Sequence, residues 1–195
     1  MKNDIEQWNE QQIKLSRDPS GTIIHEFDRV LTDSTDEKPL QIFLANNGSL
    51  LSSIAPPGSD YWCLDRPRFG AELIPDFLLA SRTSEGFRWA MIELESPNTR
   101  ALTKAGVPAA KLAEALKQIR DWRGWITDNV AYARNELGMK DIDGNCHSYV
   151  ILGRRGTLNP KQIKQYRALS TENTTVMSYD RLRDQMGRSI VMRGT

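Results

Sequence analysis

The sequence predicts an α/β fold, in which buried strands pack against amphipathic helices. Two short apolar runs, 77–80 and 89–94, are bounded by Gly, Pro and Ser, which favours a hairpin of core strands over helices. Residues 109–137 instead carry apolar side chains at steps of three or four, as a helix packed on a sheet requires. Residues 147–153 form a further apolar strand. At 195 residues, the chain can form one globular core with a small appendage.

The other predicted elements follow from composition, periodicity and turn residues. Helices are predicted for segments 4–16, 37–47, 49–54, 160–169 and 180–186. Strands are predicted for segments 22–31, 61–69 and 175–179. Asp36 is the expected N-cap of the helix at 37–47. We therefore expect an N-terminal extension at 1–35, with a helix and a strand, ahead of a single domain at 36–195.

Three carboxylates lie on the predicted hairpin. Asp76 directly follows Pro75, which cannot donate a ladder hydrogen bond, so strand pairing is weak at that point. Glu93 and Glu95 are two residues apart and share one strand face, while the apolar residues Ile92 and Leu94 enter the other. If Asp76 lies across from the glutamates, the three repelling charges need a counter-charge, and Mg²⁺ or Mn²⁺ suits such hard oxygen ligands. The alternative places Asp76 in a turn and the glutamates on a solvated face.

Composition disfavours several kinds of chemistry. With two histidines and two cysteines, the chain is a poor candidate for a zinc site or for histidine-based acid–base catalysis. Cys63 and Cys146, in a chain without an export signal, are expected to be reduced thiols. No apolar run approaches the ~20 residues that cross a bilayer, and the first residues are too polar for a signal peptide. We therefore expect a cytoplasmic protein without a membrane partner.

Charge is unevenly distributed along the chain. Residues 1–145 hold 17 Lys and Arg against 22 Asp and Glu, whereas residues 146–195 hold 9 against 3. A basic C-terminal quarter beside an acidic centre is compatible with an enzyme that acts on nucleic acid. A solvated basic surface explains the same counts.

The order of the motifs resembles a known family. Pro75-Asp76, then Glu93-x-Glu95, then a helix with Gln118 and Trp122 resembles the PD-(D/E)XK nuclease motif and its following helix. Within that superfamily, residues 36–186 resemble the C-terminal domain of Shedu antiphage defence proteins. The segments that carry this closer resemblance are Glu37-x-x-Leu40-Gln41-x-Phe43-Leu44, Phe69-Gly70-x-Glu72-x-x-Pro75-Asp76-Phe77, 92–97, Gln118 with Trp122, 150–154 and 178–182.

The resemblance implies a restriction-endonuclease-like core, with a central mixed β-sheet flanked by helices. It implies a metal-dependent DNA endonuclease or nickase in antiphage defence, with Mg²⁺ (or Mn²⁺) as cofactor. Asp76 and Glu93 would bind the metal, and Gln118 would orient the site. Glu37 would be the additional acid, although a capping or solvated role is an alternative for it.

One position departs from the nuclease motif, because Glu95 stands where the pattern has lysine. Glu95 could itself bind metal or act as a base. Lys111, seven residues before Gln118 and on the same helix face, could supply the missing ammonium group. A third possibility is a protein that binds DNA without cutting it.

Partners and competing functions follow from these residues. Arg154 and Arg155, just past a strand, are candidate phosphate contacts. Trp122 and Trp125 could stack on bases, but Trp122 continues the apolar stripe, which favours the core. We expect DNA and further copies of the chain as partners. Only residues 1–35 precede the core, so sensing would need a separate partner chain or the core's own surface. The alternatives are an inactive nucleic-acid-binding or regulatory module and a protein-interaction domain.

Overall fold

A computed structural model describes residues 12–13 and 21–193 and shows a mixed sheet between two layers of helices. The strands are β1 (Gln12–Ile13), β2 (Asp60–Asp65), β3 (Phe77–Thr83), β4 (Gly86–Leu94), β5 (His147–Ile151) and β6 (Thr174–Met177). The α-helices are α1 (Gly21–Asp33), α2 (Lys38–Asn46), α3 (Ala110–Asp128), α4 (Val130–Asn135), α5 (Pro160–Arg167) and α6 (Tyr179–Arg193). Two 3-10 helices are formed by Gly48–Ser53 and Arg155–Thr157.

The strands lie side by side in chain order. Strands β1 to β4 are antiparallel neighbours, whereas β4, β5 and β6 are parallel. The last residues of β4, β5 and β6 therefore lie at one end of the sheet, and the first residue of β3 lies there too. We call this the carboxyl end of the sheet. The predicted central mixed sheet with flanking helices is confirmed.

The two faces of the sheet bury two separate apolar clusters. Along β4, Trp89 and Met91 belong to the cluster under α3, and Ala90, Ile92 and Leu94 belong to the cluster under α1, α2 and α6. This alternation is what strand geometry requires. It places the next odd-numbered residue of the strand on the α3 face.

The predicted strand at 22–31 is wrong, because these residues form α1. Ile24, Phe27 and Leu31 are spaced by three and four residues and are buried in the same cluster as residues of α2 and α6. Burial of this helical stripe outweighs the strand preference of the β-branched residues at its start. Of the predicted helix at 4–16, only Gln12–Ile13 is described, and it forms β1. The division at residue 35 stays a prediction.

The long helix predicted at 109–137 is also wrong in one respect, since Asn129 divides it into α3 and α4. Asn129 has a non-helical backbone with a φ of −122°, which ends α3, and its side chain donates to the Trp125 carbonyl at 2.9 Å. Gly138, just beyond α4, has a φ of 66°, a conformation that glycine adopts without strain. The predicted core position of Trp122 is confirmed, with 1% exposure.

The other predicted elements exist, with changed bounds. The helix predicted at 180–186 extends to Arg193, the strand predicted at 61–69 ends at Asp65, and the helix predicted at 49–54 is a 3-10 helix. The helix at 37–47 is α2. Its N-cap residue is Glu37 and not the predicted Asp36, although the Lys38 N–H donates to Asp36 Oδ1 at 3.0 Å. The strand at 175–179 is shorter, because Tyr179 already begins α6. Cys63 and Cys146 are free thiols, as expected. Across the described ranges, no helix combines the length and the apolar character needed to span a bilayer.

Candidate active site

Asp76 and Glu93 meet at the carboxyl end of the sheet. Phe77 pairs with Ile92 across the β3–β4 ladder, so the preceding Asp76 lies beside Glu93. The Leu94 N–H donates to Asp76 Oδ2 at 2.8 Å. Asp76 is thus attached to the neighbouring strand by its carboxylate, at the point where the proline before it interrupts the ladder.

The two glutamates are buried. Glu93 is 7% exposed and Glu95 is 8% exposed, while Ile92 and Leu94 belong to the cluster on the opposite face of the sheet. The solvated strand face, the alternative reading of the sequence, is therefore wrong. Carboxylates are rarely buried unless they are paired or take part in a site.

Burial shifts the acids toward their neutral forms. The pKa of Glu93 rises to about 9, first because burial removes water and then because Asp76 and Glu95 are negative neighbours. The pKa of Asp76 rises to about 6 for the same first reason, and the Leu94 N–H and the charge of Arg66 offset only part of the effect. Burial also raises the pKa of Glu95. At neutral pH Glu93 therefore holds a proton.

Gln118 reaches Glu93 from α3. A hydrogen bond from the Gln118 side chain favours the charged form of Glu93 and lowers its pKa, against the larger effect of burial. The helix is fixed below Gln118 by buried Ala115, Ile119 and Trp122. Arg123, one turn further on, donates to the Ser148 hydroxyl at 3.1 Å and to the Asn173 carbonyl. These contacts hold α3 against the parallel strands, so Gln118 has a defined position over the acids.

Lys111 lies to one side of the three acids Asp76, Glu93 and Glu95. Its Nζ forms an ion pair with Glu114 Oε2 at 3.1 Å, and the two side chains are 60% and 61% exposed. Its positive charge nevertheless lowers the pKa of Glu95, against the larger effect of burial. The structure thus brings Lys111 near the residue that replaces the motif lysine.

Glu37 precedes α2 and faces the same acids. Its charge raises the pKa values of Asp76, Glu93 and Glu95, after burial and other contributions. The Glu37 side chain makes no capping hydrogen bond to α2, so the capping alternative is wrong, whereas its exposure agrees with the solvated alternative. Asp36 accepts the Lys38 N–H instead.

Tyr179 is a further residue of the site, to which the sequence analysis assigns no role. Its side chain is completely buried, and its hydroxyl donates to the backbone carbonyl of Glu95 at 2.9 Å. Burial and the nearby acids raise its pKa, so it remains a neutral donor. Tyr179 lies in the segment 178–182 used for the family resemblance, which was the available signal.

The acids act on one another's pKa values, but their side chains are not arranged as a complete set of metal ligands. Among the residues that the structure describes, no three His, Cys, Asp or Glu side chains are grouped so as to hold a metal ion. The donor chemistry nevertheless fits a hard divalent cation, since all donors are carboxylates and Glu93 is neutral at pH 7 only because it holds a proton. Metal binding at Asp76, Glu93, Glu95 and Glu37 stays a prediction.

Arg154 and Arg155 are ion-paired with acids of α6. Arg154 binds Asp180 at 3.0 Å, and Arg155 binds Asp184. Their predicted contact with phosphate would compete with these pairs.

Fold and site together define a mixed α/β protein with a buried acidic site at the end of its sheet. Residues 34–182 match the family described as Shedu protein SduA, C-terminal. The match covers most of the chain, so the chain belongs to this family. Family membership suggests a role in antiphage defence. No curated protein matches the chain significantly.

Proposed function

We propose that this protein is a metal-dependent DNA endonuclease or nickase with a restriction-endonuclease-like, PD-(D/E)XK-type core, which hydrolyses phosphodiester bonds in antiphage defence. The observation that supports it is the buried cluster of Asp76, Glu93 and Glu95 under Gln118. A buried group of mutually repelling carboxylates is unfavourable for folding and is common at functional sites.

Mg²⁺ (or Mn²⁺) would be held by Asp76, Glu93 and Glu95, with Glu37 as the additional acid. Such an ion stabilises phosphoryl charge and lowers the pKa of bound water. Glu93 must first release its proton, because its pKa is about 9. Gln118 then fixes the orientation of the Glu93 carboxylate, and the Leu94 N–H fixes that of Asp76.

Glu95 cannot supply the positive charge that lysine supplies in the motif. Lys111 is the nearest candidate, because its charge acts on Glu95. Its ammonium group is exposed and held only by Glu114, and surface ion pairs of this kind are weak. Substrate phosphate could therefore displace Glu114 from Lys111 at little cost.

The test is cleavage of supercoiled plasmid with Mg²⁺ or Mn²⁺. We expect nicked or linear DNA from the wild-type protein and none from Glu93→Gln or Asp76→Asn. The matched control is Glu85→Gln, an exposed acid at the opposite end of the same hairpin, which should cleave normally. Correctly folded wild-type protein that leaves single- and double-stranded DNA intact with both metals would exclude this function.

The second candidate is a nucleic-acid-binding or regulatory module without catalysis. Glu95 in the lysine position and the incomplete ligand shell favour it. It predicts salt-sensitive DNA binding without turnover. Calorimetric titration with Mn²⁺, compared with Glu93→Ala, separates the nuclease from a protein-interaction domain, because metal binding that depends on Glu93 is expected only of the nuclease. Salt-sensitive DNA binding without turnover, measured separately, supports the module.

A further inference from the structure

A cavity of about 360 Å³ lies beside the acidic site, at the carboxyl end of the sheet. Leu152 and Gly153, which follow β5, form one side, and α5 forms another through Ile163, Tyr166 and Arg167. Ser178 and Arg181 at the start of α6 complete the wall. Its volume is near the lower limit of about 300 Å³ for sites that enclose small molecules.

The lining combines apolar walls with an excess of positive charge. It contains four arginines, Arg154, Arg155, Arg167 and Arg181, and no acidic residue. Asp180 and Asp184, outside the lining, pair with the first two. Within residues 21–193, the structure shows no ion pair for Arg167 or Arg181. Two guanidinium groups are thus available to a ligand with negative charge.

Tyr166 supplies a second, independent observation. Its ring lines the cavity, and its buried hydroxyl has no hydrogen-bond partner among the described residues. An unpartnered buried hydroxyl is rare, because leaving it unsatisfied is unfavourable. Arg181 is close enough for its charge to lower the Tyr166 pKa, against the larger effect of burial. The hydroxyl and the guanidinium group therefore belong to the same site.

Backbone contacts place the cavity directly beside the acids. The Glu95 N–H donates to the Ile151 carbonyl at 2.9 Å, and the Glu95 carbonyl accepts from the Tyr179 hydroxyl. Ile151 and Tyr179 are the chain neighbours of the lining residues Leu152 and Ser178. Gly153 has a φ of 65°, and a Cβ there would lie 2.4 Å from the Thr99 carbonyl, so the wall packs tightly at this point.

We propose that this cavity binds one nucleotide unit. Its phosphate contacts Arg167 and Arg181. Its base lies against Leu152, Ile163 and the Tyr166 ring, and the Tyr166 hydroxyl forms a hydrogen bond with the nucleotide. The nucleotide is either a free mononucleotide or an unpaired nucleotide of a DNA strand. The strand-bound case rests on the proposed function, whereas the free-nucleotide case does not.

The test is calorimetric titration of the whole chain in EDTA with dTMP, thymidine and inorganic phosphate. We expect dTMP to bind at least about tenfold more tightly than either fragment, since only dTMP carries both groups. Arg181→Ala should weaken dTMP binding at least about tenfold and leave thymidine unaffected. Arg29→Ala on α1, an exposed arginine outside the cavity, is the matched control and should change nothing.

Tyr166→Phe tests the hydroxyl without altering the cavity walls. It should weaken dTMP binding about threefold to tenfold, the range for one lost hydrogen bond. Its melting temperature should stay equal to or above that of the wild type, because the hydroxyl has no partner to lose. Absence of saturable dTMP binding, or equal binding by wild type and Arg181→Ala, would overturn the proposal.

Two DNA duplexes distinguish the sources of the nucleotide. One duplex is fully paired and the other has one unpaired thymidine. If a DNA strand supplies the nucleotide, dTMP competes with the duplex that has the unpaired thymidine, and Arg181→Ala weakens binding of that duplex only. If the nucleotide is free, Arg181→Ala removes dTMP binding and leaves both duplexes unaffected. All of these measurements are made without metal, and Glu93→Gln should bind dTMP normally, so failure of catalysis and failure of this site are separate results.

Discussion

Two groups of acids at the same end of the sheet have opposite surroundings. Burial raises the pKa of Asp180, but hydrogen bonds from Arg154 and from the Arg155 N–H at 2.6 Å outweigh it, so the net pKa is lowered. Asp76 and Glu93 accept hydrogen bonds from the Leu94 N–H and from Gln118, but these do not outweigh burial, and the two pKa values rise to about 6 and about 9. The first arrangement stabilises the fold, while the second is unfavourable until a cation or proton arrives.

This contrast shows that the number of acids does not by itself identify a site. Asp180 and Asp184 are each paired with an arginine, which attaches the start of α6 to the segment that follows β5. Among the described residues, Asp76 and Glu93 form no ion pair, and Glu93 is neutral at pH 7 only because it holds a proton, which is the property expected of a cation-binding or proton-transferring group. The same carboxyl-to-amide substitution should therefore have opposite effects at the two places.

The largest expected difference is in catalysis. Glu93→Gln should lower plasmid cleavage by more than about 100-fold, since loss of a ligand should exceed the 10–100-fold cost of losing a supporting residue. Asp180→Asn should stay within a few-fold of the wild type. Initial rates of nicking with Mg²⁺ measure both. Comparable losses in the two variants would remove the functional distinction between the two acid groups.

Lys111→Ala should have the next largest effect, a loss of about 10- to 100-fold in cleavage, because the positive charge nearest Glu95 is removed. Unfolding free energy should change by less than about 0.5 kcal/mol, since the pair with Glu114 is exposed. Lys117→Ala is the control: Lys117 lies on the same helix and pairs with Asp121 at 2.5 Å. Full cleavage by Lys111→Ala would exclude the hypothesis that Lys111 supplies the ammonium group that the motif lysine normally provides.

Metal affinity should depend on pH through Glu93. The folded pKa of about 9 means that binding displaces a proton below that pH. Mn²⁺ affinity should therefore rise by about tenfold per pH unit up to roughly pH 9. Calorimetry at several pH values measures the slope. In Glu93→Gln the slope should be much smaller, and an unchanged slope would mean that another group supplies the proton.

The smallest expected effect is on stability in the absence of metal. The Glu93 pKa is raised on folding, so its contribution to stability is complete at acid pH and is lost as pH rises toward about 9. The Asp180 pKa is lowered, so its contribution is lost as pH falls. At pH 8, Glu93→Gln should raise the free energy of unfolding by about 1 kcal/mol, and Asp180→Asn should lower it by a similar amount. Urea unfolding checks both signs.

The hairpin and the face of its acids could be predicted because they depend on local pattern. Apolar runs broken by turn residues indicate β3 and β4, and strand alternation separates Glu93 from Ile92 and Leu94. The segment 22–31 could not be assigned in the same way. Its β-branched residues favour a strand, and only packing against α2 and α6 selects the helix.

Contacts between residues that are distant in sequence could not be predicted from local pattern. The Tyr179 hydroxyl reaches the Glu95 carbonyl across 84 positions of the chain, and no periodicity encodes that contact. The ion pairs of Arg154 and Arg155 are of the same kind, because they depend on where α6 begins. Burial of Glu93 likewise follows from the position of α3, which sequence spacing leaves undefined.

The mixed topology also sets an order in which the site can assemble. Asp76 and Glu93 are joined by a single hairpin, so chain-local pairing can bring them together early and at low entropic cost. Gln118 arrives only when the crossover between β4 and β5 packs on the sheet. The two acids therefore come together before the Gln118 amide that orients them. During refolding, catalytic activity should appear later than formation of the β3–β4 hairpin.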